Sequence, residues 1–203
     1  MIEAKLKATV GSLRIDADIE ASGVTCVAGR NGAGKSSLMK IIAGFIQPSA
    51  GFVRVGGVDV TRLPVEKRGV VLVTPNSAFL HLDVESHLAW GAKIRGRRPG
   101  AGEVSKVKSE LGIDFGGNVR KLSLGMRERV ALATALLAAP RAILVDEVFS
   151  SIYRREEFVT SYAQLANQLS IDVVFTSQEE GDGRLAGQLY IIDGGITARS
   201  PPK

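Results

Sequence analysis

Cysteine is almost absent from this sequence of 203 residues, in which Cys26 is the only one. A single cysteine can form neither an internal disulfide nor a cysteine-rich metal site, which is the pattern of a reducing compartment. No apolar run approaches the roughly 20 residues that a membrane-spanning helix needs. Residues 1–8 also lack the apolar centre of a signal peptide. We therefore expect a soluble protein, or one held at a membrane by a partner.

The rest of the composition is typical of a globular domain. Apolar residues make up 45% of the chain and charged residues 23%, which excludes disordered and fibrous proteins. Glycine is frequent, with 23 residues, so the fold needs tight turns or close backbone approach. The net charge of +5 suits a phosphate-bearing ligand, nucleic acid or anionic lipid, although many solvated surfaces reach it too.

Predicted strands alternate with predicted helices along most of the chain. Val24–Ala28 and Ala142–Val145 are continuous apolar runs, typical of strands that are buried on both faces. Residues 5–19 instead alternate between apolar and polar side chains, with a turn at residues 11–12. The pattern predicts an α/β fold with a mainly parallel core sheet, antiparallel strands at the N-terminus and a helical insert.

The same pattern predicts the domain organisation. We expect a single domain over residues 1–203. Its core should comprise residues from about 1 to 75 and from about 140 to 203, and its helical subdomain residues from about 76 to 139.

The most informative motif is a glycine-rich loop between a predicted strand and a predicted helix. Residues 29–36 read GRNGAGKS and match the G-x-x-x-x-G-K-S pattern of nucleotide-binding loops. Glycines let backbone N–H groups converge on phosphate oxygens, and the positive end of the next helix adds to this attraction. In such a loop Lys35 reaches the β- and γ-phosphates and the Ser36 hydroxyl ligates Mg²⁺. The predicted phosphate-binding residues are Gly29, Arg30, Asn31, Gly32, Ala33, Gly34, Lys35, Ser36 and Ser37.

A second candidate site follows the apolar run Ala142–Val145. Asp146 and Glu147 come next, which places two carboxylates at the edge of a parallel sheet where ligands bind. Asp146 is predicted to hold Mg²⁺, directly or through water, and Glu147 to orient or deprotonate the attacking water. Taken alone, the pair could simply mark a strand that leaves the core. The phosphate loop upstream favours the functional interpretation.

A third motif makes a family resemblance specific. Residues 122–126, LSLGM, resemble the LSGGQ signature of ATP-binding-cassette (ABC) ATPases, and the order of all three motifs is that of the family. The resemblance covers nearly the whole chain and implies the P-loop NTPase fold of ABC ATPases, with ATP and Mg²⁺ as ligands. It also implies that two chains sandwich two ATP molecules head to tail. Ser123, Leu124 and Gly125 would then act in trans, although Ser123 also fits an ordinary helix N-cap.

Two further stretches resemble importer ATPases of the molybdate or tungstate type. They are residues 63–68 (LPVEKR) and 79–84 (FLHLDV). The resemblance implies a cytoplasmic ATPase subunit, peripheral on the inner face of the cell membrane, that drives a separate multi-span membrane subunit. The second cassette of the dimer can be identical or different, and an oxyanion is the cargo that this likeness favours. Such subunits often carry a C-terminal regulatory domain, which we do not expect here.

Several positions depart from the family pattern. Thr74 stands where the family has a glutamine that helps to hold Mg²⁺ and water, and Ser177 where it has a histidine that contacts the γ-phosphate. Tyr153 replaces an aspartate, and residues 1–22 contain no aromatic side chain to stack on adenine. We therefore expect secure ATP binding and slow ATP hydrolysis. The alternative function is a weakly hydrolysing or regulatory non-transport ABC ATPase that acts as an ATP-dependent clamp.

The smaller signals have simpler interpretations. His81 and His87 have no cysteine partners, so we interpret them as surface or packing residues rather than metal ligands. Cys26 lies in a predicted buried strand and should be an inert apolar residue. The basic run of residues 93–98 is either a solvated loop or a contact for lipid head groups or an acidic partner. Since no aromatic residue interleaves this run, we expect no nucleic-acid partner.

Overall fold

The computed structural model describes residues 1–200, which form two compact units. The first unit comprises Met1–Leu72, Arg141–Glu147 and the described residues from Asp172 onwards, and the second comprises Val73–Pro140 and Val148–Ile171. The predicted single domain over residues 1–203 stays a prediction. The second unit includes Val148–Ile171, which the sequence analysis assigned to the core.

The framework of the first unit is a ten-stranded mixed sheet. All residues of the sheet belong to the first unit except Val73, which belongs to the second. The strands are β1 (Ile2–Val10), β2 (Leu13–Ala21), β3 (Val24–Ala28), β4 (Ala50–Val55), β5 (Val58–Asp59), β6 (Val70–Val73), β7 (Ala142–Val145), β8 (Asp172–Ser177), β9 (Gln188–Asp193) and β10 (Ile196–Ser200). Their order across the sheet is β5-β4-β1-β2-β10-β9-β3-β8-β7-β6. Strand β3 pairs in parallel with β8 and β9, β7 pairs in parallel with β8, and β1 is antiparallel to β2 and β4. The predicted α/β class, with a parallel core and antiparallel N-terminal strands, is confirmed.

Side-chain patterns explain these strands. In β2 the side chains of Ile15, Ala17 and Ile19 are buried on one face, while the residues between them are exposed. Every residue of β3 is buried, as expected of a strand that lies inside the sheet, between β8 and β9, with both faces covered. Cys26, in the middle of β3, is a buried free cysteine, as the sequence predicts.

Helix α1 (Lys35–Ala43) follows β3 in the first unit, and a buried arginine closes its C-terminal end. Arg68 is 1% exposed. Its guanidinium donates hydrogen bonds of 2.7–3.1 Å to four backbone carbonyls, those of Ile41, Ile42, Thr61 and Leu63. A Cβ atom on Gly44 would lie 2.3 Å from Arg68 Nε, so only glycine fits beside the arginine. The Arg68 guanidinium thus stabilises the C-terminal end of α1, and all four of these hydrogen bonds go to backbone carbonyls.

The second unit is helical, which confirms the predicted insert. Its helices are α2 (Val84–Ile94), α3 (Ala101–Glu110), α4 (Leu124–Leu137) and α5 (Arg155–Gln168). Asp83 caps α2 by accepting a hydrogen bond of 2.8 Å from the N–H of Ser86. In residues 1–200 no helix has the length and apolar character that crossing a membrane requires.

His87 is a packing residue of the second unit, whereas His81 is exposed. His87 Nε2 accepts a hydrogen bond of 3.0 Å from the N–H of Phe79. This bond requires an unprotonated Nε2, so Nδ1 carries the proton and donates to Thr134 Oγ1 at 2.7 Å. Burial lowers the pKa of His87.

The basic run of residues 93–98 departs from both predicted interpretations at Arg97. This guanidinium donates to the Leu137 carbonyl at 2.8 Å and pairs with the Glu103 carboxylate at 2.7 Å. Lys93 lies inside α2 rather than in a loop. Part of the run therefore stabilises the helical unit itself, a role that spacing alone does not reveal.

Candidate nucleotide site

The parallel pairing of β3, β8 and β7 brings three predicted site segments to one edge of the sheet. Ala28 pairs with Ser177, and Val145 pairs with Phe175. Strands β3, β7 and β8 therefore end at similar heights. The phosphate loop follows β3, Asp146 and Glu147 follow β7, and Ser177 ends β8.

The phosphate loop depends on glycine at specific positions. Gly32 and Gly34 have φ values of 79° and 108°, a left-handed conformation that glycine adopts readily. A Cβ atom on Gly29 would lie 2.3 Å from the carbonyl oxygen of Ile192. The N–H of Gly29 donates to the Ser177 carbonyl at 3.0 Å. Gly29 thus permits close packing of the loop, and its N–H is engaged within the sheet edge.

Helix α1 begins immediately after this loop. Its N-cap is Gly34, which has no side chain to cap the first N–H groups. The start of α1 also has no acidic residue in its first turn. Such a helix N-terminus attracts anions through its N–H groups and its dipole.

Lys35 is held over the loop. Its side chain is 3% exposed, and Nζ donates hydrogen bonds of 2.7 Å to the Gly29 carbonyl and 3.1 Å to the Arg30 carbonyl. Nζ also lies 3.8 Å from Glu147 Oε1. The structure therefore brings the predicted phosphate-binding cation and the predicted catalytic carboxylate into one ion pair.

The acidic strand end is organised by Thr176, which the sequence analysis did not identify. Thr176 Oγ1 donates to Asp146 Oδ1 at 3.0 Å and accepts a hydrogen bond of 2.9 Å from the N–H of Glu147. Glu147 has a φ of 60°, which costs about 1–3 kcal/mol for a residue other than glycine. The hydroxyl thus orients the buried Asp146 carboxylate and supports a strained backbone. A polar residue inside the apolar strand β8 was the signal that could have indicated it.

Two hydrogen bonds of Ser177 lie within the first unit. Its hydroxyl donates to the Asp182 carboxylate and accepts a hydrogen bond of 3.0 Å from the N–H of Glu179. Ser177 and Asp182 are both buried. The hydroxyl at this altered position therefore organises the turn after β8. Asp182 is a second residue that sequence reasoning missed.

The signature lies in the second unit. Ser123 Oγ accepts a hydrogen bond of 3.3 Å from the N–H of Met126 and caps α4. Leu124 is 53% exposed. A Cβ atom on Gly125 would lie 3.2 Å from the Ser151 carbonyl oxygen. A pocket of about 500 Å³ adjoins these residues, lined by Gly112, Asp114, Phe115, Ser123, Gly125, Met126, Arg129, Ser151 and Tyr153.

Thr74 also belongs to the second unit. Its N–H donates to Ser77 Oγ at 2.8 Å, and the two hydroxyl oxygens are 3.2 Å apart. The half-buried threonine is thus part of a local turn.

The predicted Mg²⁺ ligands are chemically suited to that ion. A serine hydroxyl at Ser36 and a carboxylate at Asp146 supply hard oxygen donors. In the part of the chain that the structure describes, no cluster of three or more His, Cys, Asp or Glu side chains could hold a metal. Mg²⁺ usually takes only one or two protein carboxylates and completes its shell with water and phosphate oxygens.

Comparisons with known proteins identify relatives. The ABC transporter family matches residues 13–150. The chain is 34% identical to the molybdenum import ATP-binding protein ModC of Paramagnetospirillum magneticum, over 100% of this chain and 59% of that protein. It is 37% identical to the molybdate/tungstate import ATP-binding protein WtpC of Archaeoglobus fulgidus, over 74% of this chain and 65% of that protein. The chain thus spans about three fifths of the length of these relatives, and the predicted family resemblance is confirmed.

Solved structures show the same fold. A protein described as an ATP-binding subunit of an ABC transporter superposes with a TM-score of 0.80 at 18% identity, covering 98% of this chain and 89% of that one. CbiO1 from Clostridium perfringens, part of the ABC transporter complex cbiONQ, gives a TM-score of 0.79 at 21% identity, covering 97% of this chain and 86% of that one. At these identities the likeness supports the fold alone.

Proposed function

Since the chain belongs to the ABC transporter family, we propose that it binds and hydrolyses ATP as the nucleotide-binding subunit of an importer. The observation that carries the proposal is the 3.8 Å contact between Lys35 Nζ and Glu147 Oε1. Phosphoryl transfer to water needs a cation at the phosphates and a group that orients the water. The first unit holds one of each, from two separate segments, side by side.

Each site residue of the first unit has a defined role in this proposal. The loop of residues 29–37 and Lys35 bind the phosphates of ATP, and Glu147 orients the attacking water. Ser36 and Asp146 would hold Mg²⁺, which neutralises charge on the phosphates when bound. Thr176 keeps the Asp146 carboxylate and the Glu147 backbone in place through its hydrogen bonds of 3.0 and 2.9 Å.

We further propose that two cassettes, identical or paired, close around ATP. Ser123, Leu124 and Gly125 of one chain would then meet the ATP that the opposite chain holds. The capping of α4 by Ser123 and the exposure of Leu124 support this role, because the start of this helix is accessible to a partner. Closure of the dimer would drive the transporter.

The names of the relatives support a proposal for the membrane partner and the cargo. Their names describe import ATP-binding proteins for molybdenum and for molybdate or tungstate, so we propose an oxyanion as cargo. A multi-span membrane subunit would hold the chain at the inner face of the membrane. The second unit exposes apolar surface that such a subunit could cover, at Leu80, Trp90 and Ile94, which are 39%, 38% and 63% exposed.

A weakly hydrolysing clamp is the second candidate function. The observation that favours it is the engagement of the Ser177 hydroxyl by Asp182 and by the N–H of Glu179. A hydroxyl held in this way is a poor substitute for a histidine at the γ-phosphate. Under this alternative the chain binds ATP and closes, but turns over slowly and drives no transport.

The test of ATP binding compares two lysines of α1. Lys35→Ala should lose Mg·ATP binding or turnover, since it removes charge-assisted contacts of about 1.5–3 kcal/mol each. Lys40→Ala, on the exposed face of the same helix, should behave as the wild type. Equal Mg·ATP affinity and turnover in the Lys35 variant and the wild type would refute the phosphate-loop assignment.

Transport separates the two candidate functions. The chain would be purified from native membranes with its bound partner and placed in lipid vesicles. ATP-dependent uptake of molybdate or tungstate would support the importer. A complex that closes on ATP but moves no anion would support the clamp.

A further inference from the structure

Helix α4 carries a buried acidic residue, Glu128, two residues after the signature. Glu128 is 2% exposed. Burial raises the pKa of its carboxyl, and the hydrogen bond from the Ser151 hydroxyl opposes this shift. An acidic residue is seldom buried without a specific partner. The hydrogen-bond partner of Glu128 therefore indicates its structural role.

That partner is Ser151, in the loop of residues 148–153. The Ser151 hydroxyl is hydrogen-bonded to Glu128 Oε2 and lies 3.1 Å from the carbonyl oxygen of Val148. A hydroxyl has one hydrogen and can also accept. The Ser151 hydroxyl is oriented as the donor to both Glu128 Oε2 and the Val148 carbonyl, so its one hydrogen is shared between the two acceptors. Glu128 thereby holds the 148–153 loop at Ser151.

The held loop packs against the signature. The carbonyl oxygen of Ser151 lies 3.2 Å from the position that a Cβ atom on Gly125 would occupy. A bulkier residue at position 125 would therefore push against this backbone. The position of the 148–153 loop and that of the signature glycine are coupled through direct contact.

Arg129 provides a second attachment of the same loop to α4. Its guanidinium donates to the Tyr153 carbonyl at 3.1 Å and to the Leu111 carbonyl at 2.8 Å. The ring of Tyr153 is nevertheless exposed, since the residue is 82% accessible. Adjacent residues of α4 thus fasten the loop at both Ser151 and Tyr153.

We propose that Glu128 is a positioning residue for the signature. Through the Ser151 hydroxyl it holds the 148–153 loop against Gly125, and so keeps the signature in the form that meets ATP on the opposite chain. This inference rests on the proposed function. It assigns a role to a residue that touches neither nucleotide nor metal in that function.

The experiment uses the full chain, four test variants and one control variant. Glu128→Leu and Ser151→Ala remove the hydrogen bond, the double variant removes both partners, and Glu128→Gln keeps a polar group of the same size. Glu110→Gln, an exposed carboxylate in the same unit, is the control. For each, Mg·ATP affinity, kcat and backbone hydrogen exchange of residues 121–126 and 148–153 would be measured.

We expect the kcat of Glu128→Leu and Ser151→Ala to fall between about tenfold and about a hundredfold, as misplacement of a reacting geometry typically causes. Mg·ATP affinity should stay at the wild-type value, because each chain's own phosphate loop is intact. Exchange in both segments should be faster. The double variant should be no slower than the slower single variant, and Glu128→Gln should recover most of the lost turnover.

The inference and the proposed function fail in different ways. Control-like turnover and exchange in Glu128→Leu and Ser151→Ala would overturn the inference and leave the function intact. A parallel fall in Mg·ATP affinity, or no recovery in Glu128→Gln, would also overturn it. A wild-type chain that neither binds nor hydrolyses Mg·ATP would overturn the proposed function, and hydrogen exchange would still decide whether Glu128 positions the loop.

Discussion

Lys35 Nζ and Glu147 Oε1 lie 3.8 Å apart, and the two side chains come from segments more than a hundred residues apart in sequence. The lysine is 3% exposed and the glutamate 42%. The ion pair therefore joins a buried ammonium group to a carboxylate that solvent can reach. A change to either side chain alters the electrostatic environment of the other.

The first prediction concerns Glu147. We expect Glu147→Gln to retain Mg·ATP and to lower kcat by between about a hundredfold and ten-thousandfold, because an amide cannot accept the water proton. The variant should also accumulate as an ATP-bound dimer. Phosphate release and light scattering would measure both effects. Glu66→Gln, an exposed glutamate of the first unit, serves as control, and wild-type turnover in Glu147→Gln would exclude this carboxylate as the base.

The second prediction concerns the altered position Ser177. We expect slow wild-type hydrolysis and a higher kcat in Ser177→His, because an imidazole reaches further and can carry positive charge. The larger ring replaces a buried serine bonded to Asp182, so the free energy of unfolding should fall by about 1–3 kcal/mol. Phosphate release and urea unfolding would measure the two effects. If the wild type is fast and the variant slower, another group such as Gln178 or Glu179 contacts the γ-phosphate.

The third prediction concerns Arg68, which donates to four backbone carbonyls. Arg68→Lys should lower the free energy of unfolding by at least about 2 kcal/mol, since an ammonium has three donors and cannot satisfy four buried acceptors. Urea unfolding would measure the loss. Arg62→Lys, on an exposed residue nearby, should cost little. Equal stability of the two variants would show that the carbonyls find other donors.

The fourth prediction is a pH dependence set by His87, whose pKa is lowered by burial. The unfolded chain then binds more protons than the folded chain below the ordinary histidine pKa of about 6.5. Stability from this group is therefore fully present above that value and is lost as the pH falls below it. Protonation of Nε2 would also break its bond with the N–H of Phe79.

Urea unfolding at about pH 7 and about pH 5 would measure this dependence. The difference in unfolding free energy between the two pH values should be smaller in His87→Gln than in the wild type. His81→Gln changes an exposed histidine and should keep most of the wild-type dependence, because burial lowers the pKa of His87 more than the charge of His81 does. An unchanged dependence in His87→Gln would assign it to another group.

Local sequence patterns determined the fold class and the main motifs of this protein. The glycine-rich loop can be read directly because its chemistry depends on neighbouring residues, from Gly29 to Ser37, and on left-handed backbone that glycine adopts easily. Asp146 and Glu147 were identified because they directly follow the buried run of β7. Alternation in β2 and continuous burial in β3 likewise follow from short-range patterns that reflect how many faces of a strand are covered.

Only the tertiary structure decided which polar side chains support these motifs. Thr176 lies 30 residues from Asp146, and Ser151 lies 23 residues from Glu128, so no local period links either pair. A threonine within β8 or a glutamate within α4 is compatible with several structural roles until its hydrogen-bond partner is known. The sequence placed Arg68 only in a family-like stretch and Arg97 only in a basic run, yet both donate to backbone carbonyls. Burial of a polar group forces it to find a partner, and the packing of distant segments determines which partner that is.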